Sequence, residues 1–166
     1  MSYDPHRHHR HSIRLRDYQY DTAGCYCVTI CTQQRQMMFG GVDNGVMELN
    51  DVGALVRAEW LALVQRFPSI GLDDFILMPN HLHGIIFLNL CGEPATGNSV
   101  PALGTVVGAF KSLSTRAMSR LTEGSGKVWQ RNYYEQIIRS ETMLNGLRQY
   151  ILDNPYHWHD DPEYSP

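Results

Sequence analysis

Nowhere in the 166 residues do about 18 apolar residues follow one another, so a helical membrane span is excluded. The four cysteines contain no CxxC pair, which leaves neither a zinc knuckle nor a disulfide framework to expect. There is no excess of positive charge either: the formal net charge is −3, which alone counts against a nucleic-acid partner. The opening "MSYDPHRHHRHSIRLRD" lacks the apolar stretch of a secretory signal, so a cytoplasmic location is expected. No internal repeat and no linker divide the chain.

What is present fits one α+β domain. A chain of this length buries roughly 70% of its unfolded surface, enough for a real core. Charge is unevenly spread. Arg7, Arg10, Arg14 and Arg16 stand near the start without an acid among them. Between 111 and 148, Lys111, Arg116, Arg120, Lys127, Arg131, Arg139 and Arg148 outnumber Glu123, Glu135 and Glu141. Residues 40–95 are acidic. Such asymmetry can give one surface a local positive field despite the total. Residues 1–16, with "HRHHRH", read as a flexible basic and His-rich arm, 17–158 as a single domain, and 159–166 as a loose acidic tail.

"GCYCVTICT" alternates as a strand, with Tyr26, Val28 and Ile30 on one face and Cys25, Cys27 and Cys31, small reduced thiols, on the other. "QQRQMMFGG" turns the chain, and "GVMELN" is a short second strand. Asn50 and Asp51 offer cap chemistry for a helix over 51–67 that Pro68 ends. "LDDFILMP" and "HLHGIIFL" are strands joined at "PN". A Gly- and Pro-containing loop precedes a helix over 102–121, "KVWQRNYYEQIIR" reads as a last strand, and Ser140 caps a final helix over 141–154. The order β(β)αββαβα predicts a ferredoxin-like sandwich, an antiparallel sheet with helices mainly on one face.

Within this frame His81 and His83 are two apart on a strand, so both imidazoles project to one side. Such a pair can chelate a divalent ion, although histidines at this spacing also occur without any ligand. On the final helix Tyr150 and Asn154 are i and i+4 neighbours. Met143, Leu147 and Ile151 form its expected buried stripe. Tyr150 lies about 60° to one side of Leu147 and Asn154 within about 20° of it, so both lean toward the sheet. A buried amide without a partner costs about 1–3 kcal/mol, so Asn154 needs a hydrogen bond or a metal, or else simply caps the helix before Pro155.

"PNHLHGIIF", "VWQRNYYEQIIRS" and "LRQYILDNPYHW", in that order and over roughly residues 15–158, resemble the REP-associated tyrosine transposases, single-tyrosine members of the HUH endonucleases. The resemblance implies a metal-dependent single-stranded DNA endonuclease and strand transferase that cleaves near hairpins through a 5′-phosphotyrosine. It implies Tyr150 as nucleophile, and His81, His83 and Asn154 as metal ligands. Trp129, Gln130 and Arg131 match the segment before the last strand, and Tyr133, Tyr134 and Glu135 follow. Gln136 stands where relatives often carry histidine. Mg²⁺ or Mn²⁺ suits two imidazoles and an amide, and imidazole also accommodates zinc. Tyr133, Tyr134 and Trp129 offer faces to splayed bases, with ordinary packing as the alternative for Trp129. Lys111, Arg116, Arg120 and the arm, including Arg14 and Arg16, offer phosphate contacts. Relatives include dimers that share active sites and monomers that act alone. A catalytically silent DNA-binding regulator and a small metal-dependent phosphoesterase are the rival readings.

Overall fold

Alternation writes the first strand, β1 (Gly24–Cys31), and places it second from the edge of a four-stranded antiparallel sheet. The computed structural model describes residues 24–89, 100–122 and 126–164, so the basic arm with Arg7, Arg10, Arg14 and Arg16 lies outside the described residues. The remaining elements are β2 (Gly40–Asp43), β3 (Val46–Leu49), α1 (Asp51–Leu61), α2 (Leu63–Arg66), β4 (Ile70–Met78), β5 (His81–Leu88), α3 (Leu103–Thr122), β6 (Tyr134–Ile138) and α4 (Glu141–Asp153). The main sheet runs β4-β5-β1-β6, the strand arrangement of a ferredoxin-like sandwich, and β2 pairs with β3 in a separate hairpin.

The caps are where the residue types place them. Asn50 Oδ1 accepts from the Gly53 amide at 2.8 Å, and Ser140 Oγ accepts from Met143 at 3.2 Å. Each satisfies an amide that a helix start leaves without an internal partner. The core lies between α1, α3 and one face of the sheet: Tyr26, Val28, Ile30, Leu82 and Ile86 meet Val56, Trp60, Val106 and Phe110. Gly84 belongs to this packing, because a Cβ there would stand 2.5 Å from Trp60 Cζ2. α4 lies on the opposite face. Leu144, Leu147 and Ile151 pack there against Cys27, Ile85 and Ile138. The stripe thus runs through Leu144 where Met143 was expected.

Three further differences from the sequence reading have physical reasons. The hairpin has an extra strand, β2, because Asn44 and Gly45 both take positive φ (49° and 76°), the tight turn an Asn-Gly pair favours. The last strand is shorter than 127–139. Val128 and Trp129 instead continue the edge beside Thr32, with Gln33 N–H donating to Val128 O and Gln130 N–H to Cys31 O. The tail is packed down as far as Tyr164. Trp158 is buried and makes an edge contact with Tyr164, Arg35 Nη1 donates to Pro162 O at 2.7 Å, and Arg35 pairs with Glu163 at 3.0 Å. A large aromatic and a fixed cation outweigh the acidic composition.

Candidate active site

β5 carries His81, His83, Ile85 and Phe87 on the face that α4 covers, while Leu82 and Ile86 point into the main core. In register, His83 stands opposite Thr29 and His81 opposite Cys31. Both imidazoles are buried, with ring centroids 4.4 Å apart. His81 Nδ1 lies 2.9 Å from Asn80 Oδ1, and His83 Nδ1 lies 2.8 Å from Thr29 Oγ1. The second ring nitrogen of His81, Nε2, is buried without a hydrogen-bond partner.

α4 brings the other components. Its apolar stripe seats it on the sheet, and Arg148 fastens it to β4 by donating from Nε to Asp73 Oδ2 at 3.0 Å. Asp73 sits at the irregularity in the β4–β5 register between Leu72 and Phe75, where a bulge can re-aim a side chain. Half-exposed Tyr150 then places its hydroxyl 3.5 Å from His83 Nε2. Asn154, one turn later, is 2% exposed; its Nδ2 donates to Asp161 Oδ2 at 2.6 Å, and its Oδ1 is buried without a partner.

Asp161 is a candidate metal ligand that sequence reasoning missed. The packed tail turns its carboxylate inward, 3.9 Å from His83 Nε2. One ligand atom each from His81, His83 and Asp161 lie within 4.8 Å of one another. His81 Nε2 and Asn154 Oδ1 are buried without hydrogen bonds, and the Asn154 side chain is close enough to influence His81, so these residues fit a metal ion. Two imidazole nitrogens, a carboxylate and an amide oxygen form a mixed donor set open to several divalent metals. The available signal was Tyr164, an aromatic within the stretch read as a loose acidic tail, which packs edge-on against Trp158 just before it.

The electrostatics agree. Burial drives His81 down to about 3, with repulsion from His83 adding to it, so its ring is neutral and can donate a lone pair. Burial by itself would raise Asp161; contact with His83 and hydrogen bonds from Asn154 and the Glu163 amide outweigh it and hold the carboxyl well below its usual range. At 3.9 Å the His83 contact is too long for a hydrogen bond, so the weight falls on Asn154 and on Glu163 N–H at 2.7 Å. Tyr150 is pushed up to about 12, by burial first and then by the Asp161 charge. The phenol is therefore protonated at rest. Burial also raises Cys25 and Cys27 to about 11 and Cys31 to about 12, consistent with inert thiols.

No family model matches the chain. It is 39% identical over 171 residues to an uncharacterized protein of Haemophilus influenzae, a match that covers 95% of this chain and 94% of that protein. The chain belongs to that protein's family. Among solved structures it is similar to a REP-associated tyrosine transposase bound to a REP hairpin, with a TM-score of 0.63 and 19% identity over 92% of this chain and 81% of the other. It is also similar to a candidate transposase from Deinococcus radiodurans, with a TM-score of 0.51 and 17% identity over 84% of this chain and 95% of the other. At these identities the likeness establishes the fold.

The expected DNA-contacting residues of this family member are scattered. Trp129 is a core residue: it is 7% exposed, stacks near Phe39 and Phe110, and donates from Nε1 to Ser114 Oγ at 2.9 Å. It presents no open face to a base. Lys111 donates to the carbonyls of Gln130, Arg131 and Asn132, and its ammonium lies 5.4 Å from the Tyr133 ring centroid. Its cation holds the loop before β6. Arg131 is exposed beside it, and Gln130 is half-buried. Arg116 and Arg120 are exposed on α3, in the layer across the sheet from the histidines. Tyr134 is the expected contact that does adjoin the site. It is 49% exposed and, with Thr29, His83, Gln136, Leu147 and Tyr150, lines an open groove of about 550 Å³. Among the described residues no helix is long and apolar enough to cross a membrane.

Proposed function

We propose that the chain is a metal-dependent single-stranded DNA endonuclease and strand transferase that cleaves beside hairpins with Tyr150 as nucleophile. The observation that carries the reading is the Tyr150 hydroxyl at 3.5 Å from His83 Nε2, on the face where His81 Nε2 and Asn154 Oδ1 have no partner. Packing of α4 on the sheet brings the phenol and the amide over the two imidazoles of β5, but packing alone gives no reason to leave His81 Nε2 and Asn154 Oδ1 buried without hydrogen bonds there. The similar REP-associated transposase is bound to a REP hairpin, and we extend that class of substrate to this chain.

His81, His83, Asp161 and Asn154 would hold Mg²⁺ or Mn²⁺. Bound there, the cation would polarise a phosphoryl oxygen and offset the Asp161 charge that disfavours the phenolate. The Tyr150 oxygen attacks phosphorus, a Tyr–O–P bond forms, and the P–O3′ bond breaks with a proton passing to the leaving oxygen. This gives a 5′-phosphotyrosine and a free 3′-OH. Because the phosphoester is conserved, a 3′-OH can later attack it, release Tyr150 and join strands. Tyr134 and the groove beside it would take an unstacked base, and exposed Arg131 a backbone phosphate.

Labelled hairpin DNA incubated with the protein and Mn²⁺ should yield a covalent adduct on a denaturing gel. The adduct should disappear in Tyr150→Phe and on chelation. An adduct that persists in Tyr150→Phe would place the nucleophile elsewhere and overturn the assignment.

A further inference from the structure

Each histidine of the site has one nitrogen tied to a neutral side-chain oxygen, and the two ties are not equivalent in origin. Asn80, fully buried in the turn between β4 and β5, donates from Nδ2 to Arg35 O at 3.3 Å and to Glu163 O at 2.8 Å. Both amide protons are thereby used, which fixes the amide's orientation and leaves Oδ1 facing His81 Nδ1 at 2.9 Å. An amide oxygen can only accept, so Nδ1 of His81 must carry the ring's proton and Nε2 the lone pair. That Nε2 is the buried atom without a partner. Thr29 comes from a different strand. Its hydroxyl, which can donate or accept, meets His83 Nδ1 at 2.8 Å across the β1–β5 register. Nε2 of the same ring faces the protonated Tyr150 hydroxyl at 3.5 Å, with Asp161 beyond. If Tyr150 donates to Nε2, then Nδ1 carries the proton and Thr29 accepts it.

We propose that Asn80 and Thr29 are positioning residues that hold His81 and His83 in the Nδ1–H tautomer, so that both Nε2 lone pairs are directed at one metal before it arrives. The inference rests on the metal site of the proposed function, and it adds the residues that prepare it. Outer partners of this kind fix ring orientation and tautomer, and their loss typically costs about 10–100-fold in metal affinity. Asn80 has a further consequence. Its two donated bonds join the loop at Arg35 and the tail at Glu163 to the ring of His81, so seating of the tail and presentation of the lone pair share one side chain.

Nitrogen-15 NMR of the metal-free protein, with histidine labelled, reads the tautomers directly, and Mn²⁺ titration calorimetry reads the affinity. Both rings should be in the Nδ1–H form. Thr29→Val should release His83 toward Nε2–H and weaken Mn²⁺ binding about 10–100-fold. Thr29→Ser, which keeps the hydroxyl, should preserve both readouts and controls for strand packing. Asn80→Ala should do for His81 what Thr29→Val does for His83; if it does not fold, the Thr29 pair of variants carries the test. Wild-type rings in the Nε2–H form, or a Thr29→Val protein with unchanged tautomer and affinity, would overturn the proposal. Failure of the wild-type protein to bind Mn²⁺ while its rings are Nδ1–H would instead overturn the metal reading.

Discussion

On one face of the four-stranded sheet, Tyr26, Val28, Ile30, Leu82 and Ile86 meet α1 and α3 in an apolar core; on the other, Cys27, Thr29, His81, His83 and Ile85 meet α4 and the tail. The same two central strands build both. Because successive side chains alternate between faces, a register slip of one residue would send the imidazoles into the core and Leu82 into the site. The core face is therefore what holds the site in register. It is filled by aromatic contacts such as Trp60 against Phe110, ring centroids 5.2 Å apart, with Trp60 Nε1 left without a hydrogen bond. The other face keeps both His81 Nε2 and Asn154 Oδ1 buried and unpartnered, side by side with a carboxylate. A protein that leaves buried polar atoms unsatisfied gives up about 1–3 kcal/mol for each. Stability on one face supports that cost on the other.

The largest separation of the two faces should come from a pair of aromatic residues close in sequence. Trp129 belongs to the core and Tyr134 to the groove beside Tyr150. Trp129→Ala should cost about 3–5 kcal/mol of stability, read as a lower urea midpoint. Tyr134→Ala should leave the midpoint within about 0.5 kcal/mol, as an exposed substitution does. It should instead weaken single-stranded DNA binding by about 1–3 kcal/mol, the worth of one lost base stack. A Trp129→Ala protein of ordinary stability with weakened DNA binding would reverse the assignment of the two residues.

Acid should act on the site face. His81 is held at about 3, against about 6.5 for an unfolded histidine. Between those values the unfolded chain binds a proton that the folded chain does not, so stability falls as the pH drops through that window. Asp161 adds to the same slope at its lower end: its depressed folded pKa gives stability that is full above about 4 and is lost as the pH falls toward the folded value. Urea midpoints measured from pH 7 to pH 4 should therefore decline, and His81→Gln should flatten the decline. An equal slope in that variant would place the acid-sensitive group elsewhere.

A smaller effect concerns Tyr150. Its phenol is raised to about 12 by burial first and then by the Asp161 carboxylate. Asp161→Asn removes the charge and keeps an oxygen that can accept from Asn154. The Tyr150 pKa should move back down, though not to its ordinary value, because burial remains. Carbon-13 NMR of the tyrosine Cζ positions, assigned through Tyr150→Phe, follows the change. No movement would mean that burial alone sets it.

Much of this architecture is legible in the residues themselves. Period-two patterning places His81 and His83 on one face, and Ser140 with Leu147 and Ile151 shows where α4 begins and which side it lays on the sheet, although Leu144 takes the place read for Met143. What local patterns do not carry is long-range closure. Asp161 enters the site through Arg35–Glu163 and Asn80–Glu163, contacts between segments some 80 to 130 residues apart that leave no periodic trace. Trp129 illustrates the opposite ambiguity, since an aromatic in a polar segment reads equally as a stacking face or as core. Only the cavity formed by Phe39, Phe110 and Ser114 decides it.

Arg116 and Arg120 provide the finest test of the two-face arrangement. They sit on the solvent side of α3, and α3 packs on the core face, so the whole thickness of the sheet lies between them and Tyr150. Charges there can attract a hairpin's backbone but cannot align a scissile phosphate with the phenol. Replacing either with alanine should reduce hairpin affinity modestly and lower the salt dependence of binding by about one phosphate contact. The rate at which already bound DNA becomes linked to Tyr150 should not change. A loss in that rate at saturating DNA would mean that α3 touches the reacting strand, and the division of labour between the faces would not hold.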